Sequence, residues 1–233
     1  MAEALRERLK LYLVMGTVNC LTDPLRTLEE AIEGGITAFQ FREKGPEALQ
    51  GQEAYILGKQ LQKLCKSRDV LFIVNDDAEL ALRLNADGVH IGQEDQALAE
   101  VRTKMRDKIV GVSAHDVEEA NLALQSGADY LGVGPMYPTA TKSDIREVKG
   151  PSIIKEIRRN GISLPLVGIG GISQGKIKAV IEAGADGAAV ISAITQAGSP
   201  RNAAQMMLRE VSASLYWKEL FSTNQPLNAP FLF

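Results

Sequence analysis

The chain has 233 residues, a net charge of -3 and two cysteines, which fits one large domain with a substantial buried core. It carries no basic block that would suit a nucleic acid, and no apolar run long enough to span a bilayer. The first ten residues mix charges with Ala and Leu and lack the apolar core of a signal peptide, so a cytoplasmic protein is expected, with Cys20 and Cys65 as free buried thiols.

In chain order, short apolar runs alternate with longer amphipathic stretches. The predicted strands are residues 11–15, 37–41, 70–74, 88–91, 109–112, 130–133, 166–169 and 187–191. Helical patterns lie between them at 25–33, 52–67, 97–105, 117–125, 152–159 and 173–182, and a last helix runs from about 200 to 220. Asp23-Pro24, Asp116 and Ser173 stand where N-caps are expected. Asn85-Ala86-Asp87-Gly88, Gly127-Ala128-Asp129-Tyr130 and Gly184-Ala185-Asp186-Gly187 form a degenerate repeat at helix-to-strand returns, with Gly34-Gly35-Ile36-Thr37 as a looser copy. Glycine at a helix C-cap permits a left-handed turn, so these are read as structural residues at the bottom of the fold.

Eight βα alternations with nearly continuous apolar strands predict a parallel sheet, right-handed crossovers and closure into a single (β/α)8 TIM barrel with an N-terminal helical extension. An open doubly wound sheet is the second choice, because eight strands is the number closure needs. Residues 222–233, with Pro226 and Pro230, read as an extended tail. Packing of Phe231 and Phe233 on the barrel or on a partner is the alternative.

Polar clusters follow several of the strands. In the second strand Gln40, Arg42 and Lys44 share one parity and Phe39 and Phe41 the other. The aromatic rings can then pack on helices while the polar set faces the barrel axis and its mouth. Arg offers a bidentate contact to phosphate and Lys a mobile point charge.

Asn75, Asp76 and Asp77 follow the third strand, and Asp95 follows the fourth. Adjacent strand ends bring two such carboxylates within reach of one ion, and oxygen ligands without His or Cys favour Mg²⁺ over zinc. Asp76 and Asp95 are the better ligands, since Asp77 can cap the next helix. Two carboxylates neutralise one Mg²⁺, so attraction of a diphosphate falls to Arg42 and Lys44.

Ser113 ends the fifth strand with a hydroxyl for the mouth, or simply as a cap; His115 lies nearby, and His90 inside the fourth strand reads as a core histidine. The long loop after the sixth strand carries Thr139, Ala140, Thr141 and Lys142 after a proline turn, either a phosphate grip or a solvated loop. Gly168-Ile169-Gly170-Gly171-Ile172 follows the seventh strand, and Ile191-Ser192 ends the eighth. Barrels often hold phosphate between these two strands.

Taken together, Gln40-Phe41-Arg42-Glu43-Lys44, Val74-Asn75-Asp76-Asp77, His90-Ile91-Gly92-Gln93-Glu94-Asp95, Gly111-Val112-Ser113-Ala114-His115 and Val167-Gly168-Ile169-Gly170-Gly171-Ile172 resemble the thiamine-phosphate synthase family, in order and over nearly the whole chain. The resemblance implies condensation of hydroxymethylpyrimidine diphosphate with a thiazole phosphate to give thiamine phosphate and pyrophosphate. It implies that Gln40, Phe41, Arg42, Glu43, Lys44 and Asn75 hold the pyrimidine diphosphate, and that Asp76 and Asp95 hold one Mg²⁺ per site. Ser113 would contact the pyrimidine, and Thr139, Ala140, Thr141, Lys142, Gly170, Gly171, Ile191 and Ser192 would hold the thiazole phosphate or the diphosphate. Arg42, Lys44, Ser113 and Lys142 form the implied catalytic set. The implied partners are these small phosphorylated molecules, with no nucleic acid and no membrane; oligomeric state is not written in the motifs. The alternatives are a thiazole tautomerase-like isomerase, which would not need the Arg42/Lys44 and Asp76/Asp95 set, and a non-catalytic sensor of phosphorylated metabolites.

Overall fold

Each strand is too apolar to leave either face in water, and closing the sheet on itself leaves no edge exposed. The computed structural model describes residues 2–93, 98–139 and 147–222. The strands β1 (Leu11–Met15), β2 (Ala38–Phe41), β3 (Leu71–Asn75), β4 (Gly88–Ile91), β5 (Ile109–Ala114), β6 (Tyr130–Val133), β7 (Leu166–Ile169) and β8 (Gly187–Val190) pair in parallel in that order, and β8 closes on β1. The helices are α1 (Ala2–Arg8), α2 (Pro24–Glu33), α3 (Gly51–Ser67), α4 (Ala78–Leu84), α5 (Leu98–Lys104), α6 (Val117–Gln125), α7 (Ser152–Arg159), α8 (Ile177–Glu182), α9 (Ser192–Thr195) and α10 (Pro200–Ser222). The protein is a (β/α)8 barrel with an N-terminal helix, as the sequence predicts. No helix of the described residues is long and apolar enough to cross a membrane.

Strand alternation divides the core in two. Phe39, Phe41, Phe72, Val74, Val89 and Val110 face outward into the layer under the helices. Tyr12, Val14, Ala38, Leu71, Ile73, Tyr130 and Val167 face inward. Leu5 and Leu9, from α1 and the turn after it, join the inner cluster, and a Cβ on Gly187 would meet the Leu9 carbonyl oxygen at 2.0 Å. The N-terminal helix therefore closes the barrel floor. Burying a leucine such as Leu9 contributes roughly 1.5–3 kcal/mol.

The repeated helix-to-strand turns fasten the same end. Asp87, Asp129 and Asp186 each accept a hydrogen bond from the backbone N–H of a strand residue, Phe72, Val110 and Leu166 respectively, at 2.8 Å. Arg102 meets Asp129 at 2.8 Å, and Arg158 meets Asp186 at 2.9 Å. Asn85, Gly127 and Gly184 stand at φ 51°, 85° and 117°, the left-handed turns that the repeat requires. Opposite chain ends of the strands are then left free for chemistry.

Several boundaries differ from the sequence reading. β2 starts at Ala38, because the Thr37 hydroxyl donates to the Leu11 carbonyl and accepts from the Leu11 N–H. β3 is shifted to include Asn75, β5 runs on through Ser113, and β8 stops before Ile191. Asp23 and Asp116 cap α2 and α6, accepting from Arg26 N and Glu119 N. Ser173 is not a cap: Gly175 turns the chain at φ 85°, and α8 begins at Ile177. The cap is supplied from another helix, by the Glu210 carboxylate of α10, which accepts from the N–H groups of Gly175, Ile177 and Lys178 at 2.8–3.2 Å. A carboxylate at a helix N-terminus also complements the helix dipole. The predicted tail lies outside the described residues, apart from Ser222 at the end of α10.

Candidate active site

Parallel strands deliver their carboxyl ends to one rim. A cavity of about 1020 Å³ opens there, lined by Arg42 and Lys44 after β2, Asn75 and Asp76 at β3, His90 in β4 and Ser113 in β5. Thr139 after β6, Gly170 and Gly171 after β7, and Ile191 and Ser192 after β8 complete the ring of sequence-predicted residues that reach it. The volume is at the upper end for small-molecule sites, which suits two ligands side by side.

The charges sit on neighbouring strand ends. The Lys44 ammonium lies 2.8 Å from Asp76 Oδ2. Asp76 takes the left-handed conformation at φ 61°, and its N–H donates to the His90 carbonyl at 2.8 Å. Asp77 serves the helix instead, where its carboxylate accepts from Leu80 N at 2.8 Å and caps α4. Arg42 is only 8% exposed although it lines the cavity, and its backbone N–H donates to the Met15 carbonyl. Among the described lining residues the charged groups that carry a fixed sign are Arg42, Lys44 and Asp76, two cations beside one carboxylate.

On the far side the backbone makes the surface. Gly170 and Gly171 stand at φ 96° and 63°. A Cβ on Gly171 would come within 2.7 Å of the Tyr137 carbonyl oxygen. That close approach lets the loop after β6 lie against the loop after β7, with Met136 N donating to Ile169 O and Tyr137 N to Gly170 O at 2.9 Å. Glycine backbone here can approach a phosphate with nothing in between.

Below the mouth a polar chain crosses the barrel. Gln40 Nε2 donates to the Tyr12 phenol oxygen at 2.8 Å, and the Tyr12 and Tyr130 phenol oxygens are 2.8 Å apart. His90 Nδ1 is 3.0 Å from the Tyr130 oxygen, and His90 Nε2 is 3.0 Å from Ser113 Oγ. Burial pushes the Tyr12 and Tyr130 phenols well above the usual range, so both stay protonated. Gln93 Nε2 donates to the Ser113 carbonyl at 2.6 Å. His115 Nδ1 is 2.8 Å from Glu119 Oε2.

Three residues of the expected binding set do not line the cavity. Phe41 points outward, 1% exposed, against the space over Gly58 of α3, because β2 alternation sends it away from the axis. Glu43 is turned back to clasp loops, accepting from Thr17 N and Thr17 Oγ1 at 2.7 Å and from Leu49 N at 2.9 Å. Gln40 lies beneath the cavity and acts on Tyr12. Asp95, Ala140, Thr141 and Lys142 lie outside the described residues. Sequence reasoning missed Tyr12 and Tyr130, although strand parity puts both on the barrel axis. Cys65 is buried and Cys20 half-buried; burial pushes the Cys20 thiol up to about 11, so neither is a ready nucleophile.

Oxygen donors at the mouth suit a hard divalent cation. Asp76 presents a hard carboxylate to the cavity and already holds a cationic group, the Lys44 ammonium. Among the described residues no three His, Cys, Asp or Glu side chains gather as a cage. Mg²⁺ is commonly held by one or two carboxylates, water and substrate phosphate oxygens. The residues present fit that mode.

Known proteins are similar to this chain in sequence and in fold. Residues 11–194 match the family model described as thiamine monophosphate synthase. The chain is 55% identical over 213 residues to the thiamine-phosphate synthase of Bacillus cereus (strain 03BB102), covering 91% of this chain and 97% of that protein. It is 53% identical over 210 residues to the thiamine-phosphate synthase of Geobacillus kaustophilus (strain HTA426), covering 90% and 95%. The solved thiamine phosphate pyrophosphorylase of Pyrococcus furiosus superposes with a TM-score of 0.82 at 36% identity, covering 91% of this chain and 99% of that one. The chain belongs to the thiamine monophosphate synthase family, transferases of thiamine biosynthesis.

Proposed function

We propose that the chain joins 4-amino-2-methyl-5-hydroxymethylpyrimidine diphosphate to hydroxyethylthiazole phosphate, or its carboxylated form, giving thiamine phosphate and pyrophosphate in the cytoplasm. The observation that carries this reading is the convergence of Arg42, Lys44 and Asp76 with the Gly170-Gly171 turn around one cavity. One side offers cations and a carboxylate for a diphosphate, and the other offers backbone for a phosphate.

The bond that breaks joins the pyrimidine methylene to the diphosphate oxygen, and its electron pair leaves with pyrophosphate. The bond that forms joins that methylene to the thiazole nitrogen, whose lone pair supplies the electrons. No protein nucleophile is required. Arg42 and Lys44 hold the leaving oxygens while negative charge grows on them. Lys142 is assigned the same role from its place in the loop after β6. The electron-rich aminopyrimidine spreads positive charge at the methylene, and Ile169 and Ile191 in the lining would offer water no hydrogen-bonding side chain there. Asp76 and Asp95 would hold Mg²⁺, which when bound adds positive charge against the pyrophosphate oxygens.

Pyrophosphate release, measured with each substrate alone and then with both, with and without Mg²⁺, tests the reading. Release only with both substrates and a divalent cation is expected. Binding of both substrates without release would point to a sensor, and turnover of the thiazole compound alone would point to an isomerase.

A further inference from the structure

The chain of hydrogen bonds under the cavity draws one residue from each of five strands: Gln40, Tyr12, Tyr130, His90 and Ser113. Space for it is made by glycine. A Cβ on Gly111 would lie 2.1 Å from Tyr130 Cζ, and one on Gly132 would lie 3.0 Å from His90 Cε1. The sequence thus clears the inner face of two strands to admit these rings.

The Gln40 donation to Tyr12 is the one contact of fixed direction in this chain, and taken from there the protons can be assigned in a single direction. An amide N–H group only donates, so the Tyr12 oxygen accepts from Gln40 and turns its own hydrogen to Tyr130. The Tyr130 oxygen has then accepted, and it donates to His90 Nδ1. With Nδ1 an acceptor, the neutral imidazole carries its hydrogen on Nε2, and Nε2–H donates to Ser113 Oγ. The hydroxyl hydrogen of Ser113 is left for the cavity that Ser113 lines. A reversed chain would spend that hydrogen on His90 and offer the cavity only lone pairs.

We propose that this relay fixes the polarity of Ser113, making it a hydrogen-bond donor to an acceptor atom of the bound substrate. Under the proposed function, on which this inference rests, that atom is an unprotonated nitrogen of a heteroaromatic ring. Tyr130 and His90 are positioning residues, and they act through Ser113. His115 provides an internal contrast. Its Nδ1 faces the Glu119 carboxylate at 2.8 Å, an acceptor, so its neutral form carries hydrogen on Nδ1. These are the chain's two histidines, and they should hold opposite tautomers.

Two-bond ¹H–¹⁵N correlation spectra of ¹⁵N-histidine-labelled protein at pH about 9, above the ordinary imidazole range, read this directly. The expected result is His90 as the Nε2–H tautomer and His115 as the Nδ1–H tautomer. An Nδ1–H tautomer at His90 in the unmodified protein overturns the proposal, and this readout stands even where a variant fails to fold. Tyr130→Phe should leave His90 as a mixture of tautomers and lower kcat for pyrophosphate release about tenfold. Adding Tyr130→Phe to Ser113→Ala should cause no loss beyond that of Ser113→Ala alone. Losses that multiply in the double variant overturn action through Ser113. An Nε2–H tautomer at His90 in a chain that releases no pyrophosphate would support the relay and contradict the proposed reaction.

Discussion

The Lys44 ammonium and the Asp76 carboxylate, on neighbouring strand ends, meet at 2.8 Å across the cavity mouth. Their side chains are 48% and 26% exposed, and an ion pair that open to water contributes only about 0–1 kcal/mol to stability. In the proposed reaction Lys44 would contact the diphosphate and Asp76 would help to hold Mg²⁺.

Asp76→Asn removes the charge and keeps the shape. Pyrophosphate release should fall at least about a hundredfold, equivalent to roughly 3 kcal/mol of transition-state stabilisation. Thermal unfolding should shift little, because Asp77, not Asp76, caps α4. Full turnover in excess chelator would remove the metal from the mechanism.

Arg42→Lys tests geometry rather than charge. A lysine cannot make two parallel N–H contacts to a phosphate, so a loss of about ten- to a hundredfold in kcat/KM is expected. Steady-state kinetics at several diphosphate concentrations would reveal it. Unchanged turnover and affinity would mean that Arg42 is not a substrate ligand.

Lys142→Ala should lower the single-turnover rate constant at saturating substrates by about a hundred- to a thousandfold if Lys142 meets charge developing on the leaving group. A loss confined to KM would instead mark ground-state anchoring of the thiazole phosphate. An unchanged rate constant would take Lys142 out of the catalytic set.

The barrel floor makes a separate prediction about stability. Asp186 accepts from Leu166 N at 2.8 Å and meets Arg158 at 2.9 Å and Arg6 at 3.3 Å. Its side chain is 12% exposed. Asp186→Ala leaves the half-buried Arg158 without its carboxylate and should cost about 3 kcal/mol. Denaturant unfolding would measure that cost. Because the site is on the opposite rim, kcat below the unfolding temperature should stay near the unmodified value.

Much of the fold and site is legible in the sequence because barrels obey short-range rules. Eight apolar runs separated by helical patterns require closure, and parity along β2 separates Arg42 and Lys44 from the phenylalanines. What parity does not give is the path of a side chain beyond the strand. Glu43 turns back to Thr17 and Leu49, which are remote in sequence or in a separate turn. Glu210 caps α8 from α10, 33 residues beyond Ile177, so the local signal at Ser173 misleads. Phe41 sits inside a polar motif and so reads as a binding residue, but its side chain faces outward, toward Gly58 of α3. Tyr12 and Tyr130 are 118 positions apart, and only the closed barrel brings their hydroxyls together.

The most direct measurement is a single turnover with enzyme in excess over pyrimidine diphosphate, thiazole phosphate saturating and Mg²⁺ present, in which both products are quantified. Thiamine phosphate and pyrophosphate should form at equal rates and in equal amounts, with neither formed when the thiazole phosphate is left out. Pyrophosphate appearing without thiamine phosphate would contradict the proposed reaction, since the cavity would then be delivering the pyrimidine methylene to water rather than to the thiazole nitrogen.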